Sequence, residues 1–400
     1  MPAVFVLGMG LTGLAVARSL GRRGIPVWGF DDDPKRIGFS SRFCKGMVCP
    51  APVSEEDALA EFLLLRGRGA GGRPILFPTS DEFLLAVSSQ RERLSPVYSL
   101  PLADRDVILA MNDKRRFHEL TKRFGVPSPR TYFPRDLQDL ERIAEEVSYP
   151  CILKPIYSFL YSGRFVKVVR ATSRKDLLDQ YAEIFSSRND AIVQEVIAGP
   201  DDQQYAVGSY LNGNSEAIAV FISRKIRQRP AGFGIGTFYE SCDNPVLQQR
   251  SLSFLQGVGY RGLSEIEYKR DSRDGEYKII EVNTRPWIQV SHAYRLGIDF
   301  PYLAYRELAG EDVTPVEAER RCVKWIHFGE DLSTVLGRNG YLASGEWRRG
   351  DWLRSLRGDK TYAVFARDDM KPFLKSVFEL LSRIVTRIAR SCFGRSTWHS

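Results

Sequence analysis

Ser264-Glu265-Ile266-Glu267-Tyr268 and Ile280-Glu281-Val282-Asn283-Thr284-Arg285-Pro286 are the stretch on which the reading of this chain turns. Side chains alternate across a β-strand. Glu265 and Glu267 therefore share one face of the first segment, and Glu281 and Asn283 share one face of the second. The intervening Asp271-Ser272-Arg273-Asp274-Gly275-Glu276 carries an Asp-Gly pair, a hairpin signal. Paired antiparallel, the two strands gather three carboxylates and an amide in a small volume. Like charges so close are costly unless a cation neutralises them. An all-oxygen ligand set with open positions suits Mg²⁺, with Mn²⁺ as the alternative ion, and such an ion also takes phosphate oxygens and water.

Cationic residues stand at matching places outward from this hairpin. Tyr149-Pro150-Cys151-Ile152-Leu153-Lys154-Pro155 ends a strand on a lysine, and Asn112-Asp113-Lys114 opens a helix with Asn112 as its expected cap. Lys114, Lys154 and Arg285 could supply positive charge around the phosphates of one ligand. Gln194-Glu195-Val196-Ile197-Ala198-Gly199 reads as a strand that turns, followed by Asp201 and Asp202. The alternative for any one of these residues is a solvated charged surface; their joint occurrence in this order argues against it.

Residues 3–33 form a β-α-β start, which calls for a parallel sheet. AVFVLG is a buried-strand pattern, a helix follows with Gly24 as its expected stop, and IPVWGF runs into Asp31, Asp32 and Asp33. Further helices are expected over EEDALAEFLLLRGRG and over SDEFLLAVSSQRERL, the latter capped by Ser80. Gly8-Met9-Gly10-Leu11-Thr12-Gly13 fits GxGxxG. One reading is a dinucleotide fingerprint, hence an NAD(P)-dependent oxidoreductase; the other is that the glycines only permit a tight turn and close helix–sheet packing. The better-supported nucleotide site further along the chain favours the second reading.

Taken together, these fragments resemble the ATP-grasp superfamily of carboxylate–amine ligases over about residues 3–370. YPCILKP is similar to that family's strand-borne lysine, NDK to its earlier lysine, QEVIAG to its adenine hinge, and Glu281–Pro286 to its Glu-x-Asn-x-Arg signature. The resemblance implies α/β and α+β architecture, an ATP-grasp fold with an N-terminal Rossmann-like domain. It divides the chain into 1–110 (Rossmann-like), 111–200 (small lid subdomain), 201–315 (the subdomain with the Mg-ATP site), 316–370 (an extension packed on the core) and 371–400 (a basic helix and tail). It assigns Lys114 and Lys154 to the α/β phosphates, Glu195 and Val196 to the adenine edge, and Asp202 to the ribose. Glu267, Glu281 and Asn283 would hold magnesium, and Arg285 would stabilise an acyl phosphate. Ser223–Pro230 followed by Gly232–Thr237 looks like the carboligase branch that includes D-aspartate ligase. There Lys225 and Arg227 would face the γ-phosphate or the substrate carboxylate, the alternative being a basic exposed strand. The implied activity is ATP-dependent amide formation between a small carboxylate and an amine, giving ADP and phosphate. Residues 156–164, where the family's phosphate-covering loop is usually glycine-rich, are bulky here. That keeps open a catalytically weak ATP-binding regulatory protein.

Composition agrees with a globular enzyme. The chain has 400 residues, 43% hydrophobic and 26% charged, with a net charge of +8. No apolar run is long enough to span a bilayer, and MPAVFVLGMG reads as a strand and not a signal peptide, so a cytoplasmic location is expected. No RNP, zinc-finger or helix-turn-helix signature points to nucleic acid. The six cysteines form no CxxC pair and only four histidines are present, which argues against structural zinc. Residues 371–395 carry Phe373, Leu374, Val377, Phe378, Leu381, Ile384, Val385 and Ile388 at helical spacing, with Lys375, Arg383, Arg387 and Arg390 opposite. Docking on the protein or on a second copy is the expected role of this helix; peripheral contact with the inner face of a membrane is the alternative.

Overall fold

The computed structural model describes residues 1–156, 168–184 and 191–393. Among them, three sheets carry the fold. The first contains β1 (Val4–Leu7), β2 (Val27–Asp31), β3 (Lys45–Val48) and β4 (Ile75–Pro78), all parallel, in the order β3-β2-β1-β4. β1 is buried throughout, as expected for a central strand with helices on both faces. β3 escapes the sequence reading because Lys45-Gly46-Met47-Val48 is a short, mostly exposed edge without an apolar run. The expected helix over 80–94 begins at Ser80, whose hydroxyl accepts the Phe83 N–H, but breaks at Gln90 into Asp81–Ser89 and Arg91–Leu94.

Helices Arg105–Asn112 and Lys114–Arg123 lead to the second sheet. Asn112 is not the cap of the second helix. Asp113 is, accepting from the Arg115 and Arg116 N–H groups, while Asn112 closes the preceding helix. The second sheet contains β5 (Thr131–Tyr132), β6 (Cys151–Pro155), β7 (Val169–Ala171) and β8 (Ala191–Glu195), antiparallel in the order β5-β8-β6-β7. Of the 156–164 loop, residues beyond Ile156 lie outside the described residues.

The third sheet is the largest: β9 (Gln204–Leu211), β10 (Ala217–Arg229), β11 (Ile235–Ser241), β12 (Gly262–Arg270), β13 (Tyr277–Asn283), β14 (Lys324–Ile326) and β15 (Lys360–Tyr362). Its order is β13-β12-β9-β10-β11-β14-β15, so the segment after residue 316 extends the sheet itself. Val207, Ile222, Ile266, Tyr268, Ile279 and Val282 sit in one core with Phe5, Leu76 and Phe254, which ties this sheet to the first one. The alternate residues are therefore turned to the opposite face, and they form the site.

The C-terminal segment is clamped to the first domain. Buried Asp369 accepts from Arg18 Nε at 2.9 Å, Ser41 Oγ at 2.7 Å and the Arg42 N–H at 3.0 Å. Helix Met370–Phe393 then docks by its first turns. Phe373 packs on Phe365, and Lys375 Nζ donates to the Lys35 carbonyl at 2.6 Å. Leu374, Phe378 and Leu381 are exposed. The side chains of Arg383, Ile384, Val385, Arg387, Ile388 and Arg390 lie outside the described residues. No helix among the described residues is long and apolar enough to cross a membrane.

Candidate functional site

The β12–β13 hairpin forms in the register that strand alternation requires. Glu265 lies opposite Asn283 and Glu267 opposite Glu281, all on one face. On the adjoining strand, Gly208 faces Glu265, and a Cβ there would lie 2.1 Å from the Trp287 ring. The missing side chain lets Trp287 lie against the sheet. That seats the segment after Arg285 so that Gln289 Nε2 donates to Glu265 Oε1. Asn283 Nδ2 donates to Glu265 Oε2 at 3.1 Å.

Three lysines from three different elements surround this carboxylate face. Lys225 on β10 donates to Glu267 Oε2 at 2.8 Å and to Gln204 Oε1 at 3.1 Å. Lys154 at the end of β6 donates to Gln194 Oε1 at 3.1 Å, and Lys114 at its helix start donates to the Ile156 carbonyl at 3.2 Å. All three lysines act on Glu281. Glu281 itself is exposed to solvent.

The electrostatics show how crowded the acids are. Burial, and then the neighbouring Glu267, push the Glu265 carboxyl up to about 8. Burial and Glu267 also raise Glu281. Burial opposes the charge of Lys225, but Glu267 with Glu265 and Glu281 outweighs it and raises that lysine. Lys154 is lowered by burial, against the pull of Glu281 and Glu267. As they stand, the described acids do not converge as three ligands about one point. The donor set nevertheless fits Mg²⁺ in its chemistry: the carboxylates of Glu267 and Glu281 and the Asn283 amide oxygen are hard oxygen donors.

Arg285 leaves β13 and forks onto Asp81 of the first domain, with Nε–Oδ1 at 2.6 Å and Nη2–Oδ2 at 3.0 Å. At the end of β8, the Glu195 carboxylate accepts from the Arg130 N–H at 2.9 Å, Arg273 at 3.3 Å and Lys278 at 3.4 Å. The Glu195 N–H bonds the Arg130 carbonyl. Main-chain groups of Glu195 and Val196 are therefore what this turn could offer a purine edge, not the carboxylate. Asp202 Oδ1 is buried without a hydrogen-bond partner among the described residues, an acceptor suited to a ribose hydroxyl.

One expectation about the site residues is corrected. Arg227 does not join Lys225. A β-bulge between them pairs Lys225 with Tyr239 but Arg227 with Phe238, which turns Arg227 to the opposite face. There it is fully buried, doubly bonded to Asp331 at 2.7 and 2.9 Å, with its guanidinium over the Phe238 and Trp347 rings. Nor is either residue on an exposed strand, since Lys225 is buried as well. For Gly8–Gly13 the structure agrees with the packing reading favoured from sequence. Asp31, the acid a ribose would need, is buried and accepts the Met9 N–H at 2.6 Å, and the Gly38 N–H closes on the Met9 carbonyl. A Cβ at Gly13 would lie 2.0 Å from the Gly8 carbonyl oxygen, so this glycine serves helix–strand packing. Sequence reasoning missed Asp81, Gln289 and Asp331. Asp81, directly after the cap Ser80, was the one with a local signal.

Residues 113–298 match the family described as carbamoyl-phosphate synthase L chain, ATP binding domain. The chain is 24% identical over 268 residues to a D-aspartate ligase of Enterococcus faecium, covering 64% of this chain and 59% of that protein. The match thus spans less than two thirds of that relative's length. Its fold is similar to the biotin carboxylase domain of Hydrogenobacter thermophilus 2-oxoglutarate carboxylase in complex with MgADP, with a TM-score of 0.63, 19% identity, and coverage of 79% of this chain and 72% of that one. It is also similar to an L-amino acid ligase of Bacillus licheniformis, with a TM-score of 0.60, 18% identity, and coverage of 79% and 78%.

Proposed function

We propose that this chain is an ATP-dependent carboxylate–amine ligase with an ATP-grasp nucleotide-binding region, a reading supported by the family match over residues 113–298 and by the fold likeness. The observation that carries the reading is the single face on which Glu267, Glu281 and Asn283 stand ringed by Lys114, Lys154 and Lys225. Such a face suits a metal-bound triphosphate, with cations ready for the charge that develops as its terminal phosphoryl group leaves.

In this reading Lys114 and Lys154 bind the α/β phosphates, the main chain at Glu195 and Val196 meets adenine, and Asp202 takes the ribose. Glu267, Glu281 and Asn283 would hold Mg²⁺ or Mn²⁺, which when bound neutralises phosphate oxygens. Lys225 is placed to follow the γ-phosphoryl group. A substrate carboxylate oxygen attacks the γ-phosphorus, the bond to the β-phosphate oxygen breaks, and ADP leaves. Arg285 stabilises the resulting acyl phosphate. An amine then attacks the acyl carbon, and inorganic phosphate departs with its bonding electrons. The amine loses a proton and an amide remains. Holding both reactants together keeps water from the acyl phosphate, and no nucleophilic side chain is needed. Arg227 has no part in these steps; its role is to lock β10 to the segment around Asp331.

An ADP-release screen of D- and L-amino acids, small dicarboxylates and amines, with mass spectrometry of the products, tests this. One acid–amine pair is expected to release ADP in step with a product lighter by water than the sum of the two. Nucleotide binding without ADP release from any pair would instead favour a regulatory ATP-binding protein.

A further inference from the structure

We infer that Asp81 is a positioning residue for the reaction: it fixes the Arg285 guanidinium beside Asn283, so that the first domain completes the catalytic site. The inference rests on the ligase reading above. It goes beyond it in giving the parallel-sheet domain a part in the chemistry. The contact is a parallel fork, the arrangement in which a guanidinium is held in orientation as well as in place. Arg285 Nη2 also reaches Asn283 Oδ1 at 3.4 Å, and Nη1 donates to the Pro286 carbonyl at 3.1 Å. Among the described residues these contacts leave one hydrogen, on Nη1, to point at a ligand. The positive charge is thus held stationary next to a candidate metal ligand. A second contact supports the same segment, Asn112 Nδ2 donating to Thr284 Oγ1 at 3.2 Å.

The placement of Asp81 follows from local rules. β4 delivers the chain to Ser80, which caps helix Asp81–Ser89. A carboxylate in the first turn is favoured by the helix dipole, and in that turn Asp81 meets Arg285. The Arg285 side chain is only 16% exposed, and burial opposes its charge, but Asp81 outweighs that and raises it. Without Asp81 the guanidinium loses the partner that sets its direction. A displacement of about 1 Å at a reacting centre costs about a hundredfold in rate.

Asp81→Asn and Asp81→Glu test this in the full-length protein. With the acid–amine pair found by the screen, Asp81→Asn is expected to lower kcat by about a hundredfold while KM for Mg·ATP stays within about twofold, because in the proposed reading Arg285 serves the acyl phosphate and Lys114 and Lys154 bind the nucleotide. More ADP should form per amide, and Asp81→Glu should recover part of kcat. A second readout needs no turnover: the Arg285 Nε–H resonance, assigned with Arg285→Lys, should be sharp and slowly exchanging in the parent and lost in Asp81→Asn. Parent-like kcat and coupling in Asp81→Asn, or a loss of activity that merely tracks a lowered melting temperature and is not relieved by Glu, overturns the inference. If the parent releases no ADP from any pair while the resonance behaves as expected, the ligase reading fails and the positioning of Arg285 by Asp81 stands.

Discussion

Lys225 Nζ lies 2.8 Å from Glu267 Oε2, and the charge of the same lysine also opposes the rise of the Glu265 carboxyl. Its position on β10, next to the strand that pairs with β12, is set by backbone register. The site is therefore balanced before any ligand arrives. An ammonium on a flexible stem can exchange a carboxylate for a phosphate oxygen at little cost.

Lys225→Met should thus affect phosphoryl transfer more than nucleotide affinity. We expect the rate of ADP formation to fall about a hundredfold, with Kd for Mg·AMPPNP changed far less. Stopped-flow ADP release and calorimetric titration measure the two. An unchanged rate would return Lys225 to a purely structural role.

Arg227→Met or Asp331→Asn should do the reverse. Breaking one partner of a buried pair costs about 3–5 kcal/mol, and here the pair joins β10 to helix Phe328–Leu336. Urea unfolding should show that loss, while kcat per folded molecule stays near the parent value. A selective fall in kcat with normal stability would put Arg227 back among the catalytic groups.

The Glu265 carboxyl sets a pH dependence. It is raised from 4.5 to about 8 by burial and by Glu267. A carboxyl raised by folding stabilises the fold fully below its unfolded value, and that contribution is lost as pH rises through the folded value. Glu265→Gln cannot ionise. Its melting temperature relative to the parent should therefore climb between pH 5 and pH 8.5, a range of about the size of that shift. A constant difference across the range would show that Glu265 is not protonated in the fold. By the same logic, Mg·AMPPNP binding near pH 7 should release protons, which titration in buffers of different ionisation enthalpy detects.

Lys154→Ala should weaken nucleotide binding by about tenfold or more, since in the proposed reading a cation that acts on Glu281 and binds the phosphates is lost. Fluorescent-nucleotide titration reads this directly. Parent-like affinity would place the triphosphate elsewhere.

The hairpin acids were legible from sequence because strand alternation is a strict period of two, and Glu265, Glu267, Glu281 and Asn283 obey it. The same rule misled at Arg227, where one extra residue in β10 inverts the faces and nothing local marks the bulge. Asn112 was misread as a cap because Asp113, beside it, is an equally good one; the helix ending at Asn112 decides between them. The parallel first sheet and the packing role of its glycines followed from the sequence, but the engagement of the acid at the end of β2 did not. That depends on Asp31 turning to the Met9 N–H, a contact across 22 residues. Asp81 and Asp331 were out of reach for the same reason. Each matters through a partner more than a hundred residues away, brought near only by the fold.

The central claim is that Glu267, Glu281 and Asn283 clamp a divalent ion on a triphosphate, and the most direct measurement is Mn²⁺ electron paramagnetic resonance with AMPPNP. The parent chain should immobilise Mn²⁺ only when nucleotide is present, and Glu281→Gln should weaken that binding by about 10–100-fold with the fold intact by circular dichroism. Parent-like immobilisation of Mn²⁺ in Glu281→Gln would contradict the assignment.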